Sequence, residues 1–274
     1  MADHAVEEDD GDIFIYRGGR AQHDVTITHV LIDKSADEIE DNAFYGCRNL
    51  VQVDTHDGLR RVGMNAFRDC ESLRRINLKS AVEIDAWAFD NCENLESVEF
   101  GDRLEIIGHS AFGHCALKHL KLPSIITVGV DAFYDCECLT DIELSERLES
   151  IGSEAFWNCE RLQRIAVPLK RDLFVYDDDE DGYTQFDECV QLASVDIVGG
   201  IHETIASLHM ESCVTPQACH NLCYYSSEAY LPITITSVRS ASSHFIHLHT
   251  LCSTSTRKVL ALVDKHNNLS TSIN

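Results

Sequence analysis

Seven times along the chain a phenylalanine is followed three residues later by a cysteine: Phe44/Cys47, Phe67/Cys70, Phe89/Cys92, Phe112/Cys115, Phe133/Cys136, Phe156/Cys159 and Phe186/Cys189. The Phe-to-Phe steps are 23, 22, 23, 21, 23 and 30 residues. A unit of this size cannot bury its own apolar face, so neighbouring units must stack to build one continuous core. The period therefore predicts a solenoid. It constrains function much less, because many functions are hung on such scaffolds.

Each unit has the same internal grammar. After the cysteine stands a leucine (Leu50, Leu73, Leu95, Leu117, Leu139, Leu162, Leu192), then a further apolar residue (Val53, Ile76, Val98, Leu120, Ile142, Ile165, Val195). The following period-2 alternation is the mark of a short half-buried strand. One strand per coil, always in the same sense, predicts a parallel sheet along one face. Gly63, Gly108, Gly129 and Gly152 recur at a corner, where glycine would supply a positive φ. Alanine precedes phenylalanine in six units, and the Ala-Phe segment is expected to form one helical turn.

These residues resemble leucine-rich repeats of the BspA-like kind, with the pattern I-G-x-x-A-F-x-x-C-x-x-L-x-x-I-x-L-P across about residues 25–198. The resemblance implies an α/β leucine-rich-repeat solenoid, a right-handed superhelix with a parallel β-sheet on its concave face. Its usual role is protein–protein recognition, inside cells or on microbial surfaces. The segment Val198-Gly199-Gly200-Ile201-His202 resembles the junction after the repeats in a group of such proteins from microbial eukaryotes. Three regions follow: an acidic arm and cap over 1–24, seven to eight repeats over 25–200, and a tail over 201–274. The tail is expected to hold a short helix start at Ile201–Met210 and to be disordered or poorly packed from 213. Ile13–Tyr16 and Val25–Ile32 read as strands of the cap.

Outward positions of successive strands form columns, and their charge alternates. Arg74 and Arg75 are followed by Glu96 and Glu99, then Lys118, His119 and Lys121, then Asp141 and Glu143, then Arg164. Opposite charges on adjacent strands support pairing and fix register. The same ten residues are the candidate partner-binding face, acting through electrostatic complementarity.

The net charge is −24, all of it in residues 1–200, which hold 42 acids and 18 bases. Such a body repels nucleic acid and anionic membrane, so the expected partner is a protein and the chain is expected to be monomeric. Met1–Asp12 carries six acids and no apolar leader core, which predicts a cytoplasmic protein with free thiols. A surface or adhesion role is the alternative, to be told apart by a hydrophobic leader upstream of Met1.

Residues 177–188 satisfy D-x-D-x-D-G-x5-E, the pattern of a calcium loop. Asp177, Asp179 and Asp181 would be monodentate ligands, Tyr183 a carbonyl ligand and Glu188 the bidentate one. Against this, Thr184 replaces the usual apolar residue, and Phe186 and Cys189 belong to a repeat, so a solvated acidic insertion is the competing reading. Cys213, Cys219, His220 and Cys223 lack the paired spacing of a zinc site. No motif of nucleophilic, phosphate-binding or metalloprotease chemistry occurs, and neither enzymatic activity nor a cofactor is expected.

Overall fold

In the computed structural model, described residues are 13–21, 23–168, 170, 173–174, 185–198, 234–235 and 246–249. They form a parallel β-solenoid in which each coil contributes one strand to a long-strand face and a two-residue strand to a second face. The first long-strand sheet joins, in spatial order, β1 (Ile13–Tyr16), β2 (His29–Ile32), β4 (Gln52–Asp54), β6 (Arg75–Leu78) and β8 (Ser97–Phe100). A second continues with β10 (His119–Leu122), β12 (Asp141–Leu144), β14 (Arg164–Pro168) and β15 (Ser194–Val198). The short-strand face runs through β3 (Glu38–Ile39), β5 (Arg61–Val62), β7 (Glu83–Ile84), β9 (Ile106–Ile107), β11 (Thr127–Val128) and β13 (Ser150–Ile151).

The third side of each coil is a turn, and no helix occurs among the described residues. The helical turn expected at Ala-Phe is replaced because the described residues two before and two after the Phe positions are left-handed. The preceding column (Asn42, Asn65, Trp87, Ser110, Asp131, Glu154) has φ of 48–58°. The following column (Gly46, Asp69, Asn91, His114, Asp135, Asn158, Glu188) has φ of 55–73°. A right-handed helix cannot propagate through such residues.

The alternation instead aims peptide groups along the stack. Each Phe N–H donates to the carbonyl one residue before the next coil's Phe, at 2.7–2.9 Å, from Phe44→Ala66 to Phe156→Gln185. The flanking left-handed residues do likewise, as in Asn42→Met64 at 2.8 Å and Gly46→Arg68 at 2.8 Å. The turn thus satisfies its buried backbone between coils, as a sheet does.

Inside, the phenylalanines form one column. Successive rings from Phe44 to Phe186 lie 5.0–5.5 Å apart with interplanar angles of 2–11°. The cysteines are more than small apolar fillers. The thiols of Cys70, Cys92, Cys115, Cys136, Cys159 and Cys189 each donate to the carbonyl of the preceding coil's Phe, at 3.1–3.3 Å. Burial pushes the thiols of Cys47, Cys70, Cys92, Cys115, Cys136 and Cys159 up, to about 11 for Cys47 and about 12 for Cys136, so their donor protons stay in place.

The cap imitates a coil. Ala21 and His23 donate to the carbonyls of Ala43 and Tyr45 at 2.6 and 2.7 Å, Cys47 donates to Ala21, and Phe14 and Tyr16 close the ring column against Phe44. Val25–Thr28 lies outside β2, so the second cap strand is shorter than expected. The expected tail helix at 201–210 falls outside the described residues. Of the tail, β16 (Thr234–Ile235) and β17 (Ile246–His249) are described, and β17 pairs antiparallel with β15.

The glycine column is also explained differently. Gly63, Gly108, Gly129 and Gly152 have no positive φ; a Cβ on Gly129 would lie 2.6–2.8 Å from backbone atoms of Gly108 and His109. The glycines let coils approach. Gly129→Ala is expected to lower stability by about 2–3 kcal/mol, because backbone cannot give way locally. Gly113→Ala, whose Cβ would press only on the Asp90 side chain and meet backbone at ordinary contact distance, should cost clearly less in urea melts.

Candidate interaction surface

The alternating strand places residues such as Ile76, Leu120 and Ile142 inward and leaves their neighbours outward, so the ten charged candidates share the long-strand face. Neighbouring rungs pair there. Lys118 Nζ lies 2.7 Å from Glu96, Lys121 3.1 Å from Glu143, and Lys79, just past β6, 2.6 Å from Glu99. These bonds hold the carboxyls of Glu96 and Glu99 below their usual range. His119 shares a hydrogen bond with Thr140. Arg74 and Arg75 form no ion pair among the described residues and act on Glu96 and Glu99 at longer range.

Arg164 is the strongest anchor of the face. Its guanidinium donates to Asp141 at 2.8 Å and to Asp196 at 2.6 Å, and these bonds raise its already high pKa. Asp196 is fully buried, and the Arg164 guanidinium lies against its carboxylate there. Arg164→Ala should destabilise the chain by about 2–3 kcal/mol, since a buried carboxylate loses its cation. Asp141→Asn, which leaves the Arg164–Asp196 bond intact, should move the urea midpoint much less.

Among the described residues, the ladder of this face has one break. Every cysteine-to-leucine spacing is three residues except Cys115–Leu117, which is two. The turn bond closing that corner elsewhere, such as Leu95 N–H to Cys92 carbonyl at 2.9 Å, has no counterpart at Leu117. Consequently β8 and β10 share no ladder pairing and belong to different sheets. Elsewhere across the break the stack is intact: Phe89 and Phe112 stack at 5.0 Å, β7 pairs β9, and Cys115 bonds the Phe89 carbonyl.

A depression of about 610 Å³ opens at the break, lined by Val98, Phe100, Leu120 and Pro123, with Lys79, Glu99, Asp102, His119, Lys121, Asp141 and Glu143 around them. Val98 and Phe100 are only partly buried, unlike their inward counterparts Ile76 and Leu78.

Phe-Cys coils bonded through Ala-Phe turns are matched by the family model described as a BspA type leucine rich repeat region, over residues 21–137, 79–176 and 105–215. The chain belongs to the BspA-type leucine-rich repeat family. Among solved structures, a leucine rich repeat protein of T. pallidum is 30% identical over 56% of this chain and 72% of its own, with a TM-score of 0.48. A leucine rich cell surface protein of Faecalibacterium prausnitzii is 21% identical over 65% of each chain, with a TM-score of 0.42. A leucine-rich repeat protein of Bacteroides ovatus is 20% identical over 61% of this chain and 54% of its own, with a TM-score of 0.44. Comparison with curated proteins gave no match.

The turn side of these BspA-type coils carries a second feature that strand columns do not reveal. Tyr134 stacks on Trp157 at 5.0 Å, His114 meets Tyr134 edge-on at 5.0 Å, and Trp87 meets His109 at 4.9 Å. The position after each Phe, Tyr45, Tyr134 and Trp157 in three coils, was the available signal. Of the calcium-loop residues, Asp177, Asp179, Asp181 and Tyr183 lie outside the described residues. Glu188 is described, and it occupies a left-handed turn position of the last coil.

Proposed function

We propose that the protein is a non-enzymatic scaffold that binds a protein partner through its long-strand face. The observation that supports this most is the opening between β8 and β10, where the otherwise self-neutralising face presents apolar floor beside charged rim. A protein partner fits better than nucleic acid or anionic membrane because the chain carries a net charge of −24. The long strands line the concave side of a right-handed superhelix, as the family resemblance implies, and the scaffold acts as a monomer. Its compartment is a reducing one, the cytoplasm: the eight described cysteines are free, and the ladder uses thiol protons that a disulfide would remove.

The test is site-specific photo-crosslinking in cells of the source organism. A crosslinkable residue in place of Lys121, on the strand face, should trap a defined protein, and one in place of Arg68, on the turn face, should not. Trapping confined to position 68 would contradict the reading and assign recognition to the aromatic turn side.

A further inference from the structure

The break between β8 and β10 is the one discontinuity on the strand face among the described residues, and it arises from a single missing residue between Cys115 and Leu117. We propose that this break is a docking site for an extended basic peptide segment of a partner protein, which sets one apolar side chain between the two strands. The proposal rests on the scaffold reading above and names the partner's chemistry.

Three observations carry it. The floor is apolar, formed by Val98, Phe100, Leu120 and Pro123, and the phenyl ring of Phe100 is fixed edge-on against Phe112 at 5.7 Å. A side chain entering there meets a preformed apolar wall rather than a mobile loop. Next, the facing edges of β8 and β10 lack ladder partners, so their backbone groups are available for β-type hydrogen bonds to an extended segment. Gly101 lets the end of β8 lie close against the chain just past β6: a Cβ there would collide with the carbonyl of Lys79.

The third observation is charge. Around the floor Lys79 is engaged by Glu99, Lys121 by Glu143 and Asp141 by Arg164, while Asp102 has no ion-pair partner among the described residues. The lining holds four carboxylates and two lysines, inside a chain of net charge −24. Lysine or arginine flanking the inserted apolar residue complements this rim and speeds encounter.

The probe is a fluorescein-labelled peptide with lysines and arginines around a central phenylalanine, read by anisotropy against the full chain. Saturable binding that weakens as salt rises is expected. Inserting one serine between Ala116 and Leu117 restores the common spacing, and should close the ladder and weaken binding by about tenfold or more. Val98→Arg, which puts a cation into the partly exposed floor, should do the same if the insertion variant does not fold. The same peptide with glutamates in place of its basic residues should not bind.

Equal affinity of the basic peptide for wild type and a folded variant would overturn the proposal. So would equal binding of the acidic peptide, or no binding by wild type at about millimolar concentration. Self-association of the wild type that the insertion abolishes would also overturn it, assigning the break to a second copy of the chain. Crosslinking at position 121 without peptide binding would sink this inference alone and leave the scaffold reading standing.

Discussion

Raising the pH above about 9 is expected to unfold the protein in a single step that coincides with ionisation of its cysteine ladder. The buried thiols of Cys70, Cys92, Cys115, Cys136 and Cys159 are all held above the ordinary value of 9.0, chiefly because burial penalises the thiolate. The folded state keeps these protons after the unfolded chain has released them. Their stabilising contribution is therefore complete below pH 9 and falls as pH rises, until the folded thiols themselves ionise, at about 11 for Cys47 and about 12 for Cys136. Each such thiol removes about 1.4 kcal/mol per pH unit in that window. Several acting together exceed the few kcal/mol by which a domain is ordinarily stable. Circular dichroism and thiolate absorbance, followed together, should change over the same pH range. Thiolate absorbance near 9 in excess of what the five cysteines outside the ladder can supply, in a chain that keeps its fold, would show that the ladder is not buried as described.

Phe112→Ala should cost about 3–5 kcal/mol, the range for deleting a fully buried aromatic ring. The ring stacks on Phe89 at 5.0 Å and Phe133 at 5.5 Å and supports Phe100. Its loss opens a cavity in mid-column that neither rigid neighbour can fill. At Phe44 the column is closed by Phe14 and Tyr16 rather than by a further coil, so the defect touches fewer coils. Urea melts should show the larger loss and the lower cooperativity for Phe112→Ala. Equal losses at both positions would contradict a column coupled between nearest coils.

Much of this was legible in the residues. The Phe period predicts the coil, and the described inward columns coincide with the buried set except at Val98 and Phe100, because a parallel stack leaves only one face of each strand dry. Alternating charge on the strands predicts the Glu96–Lys118, Lys121–Glu143 and Asp141–Arg164 pairs, since register brings equivalent positions together.

The turn was less legible. Asn42, Asn65, Asp69 and Asn91 are types that tolerate the left-handed region, yet Trp87 and Glu154 share that conformation without any such preference. There the interchain-like hydrogen bonds between coils, not local propensity, decide the backbone. The glycine column misled for a related reason: composition does not distinguish a positive φ from a close approach. The two-residue Cys115–Leu117 spacing was visible, but its effect depends on whether turn or ladder absorbs the missing residue. The structure shows that the ladder does, and the candidate site follows from that choice.

Residue-resolved hydrogen exchange of the full chain tests this architecture most directly. The account predicts that the amides of Phe67, Phe89, Phe112 and Phe133, which bond from coil to coil at 2.7–2.8 Å, exchange only through global unfolding. Amides on the facing edges of β8 and β10 should exchange much faster than those in β6 or β12. Uniform protection along the whole strand face, or rapid exchange of the Phe amides, would contradict a solenoid held by its turns and opened at a single rung.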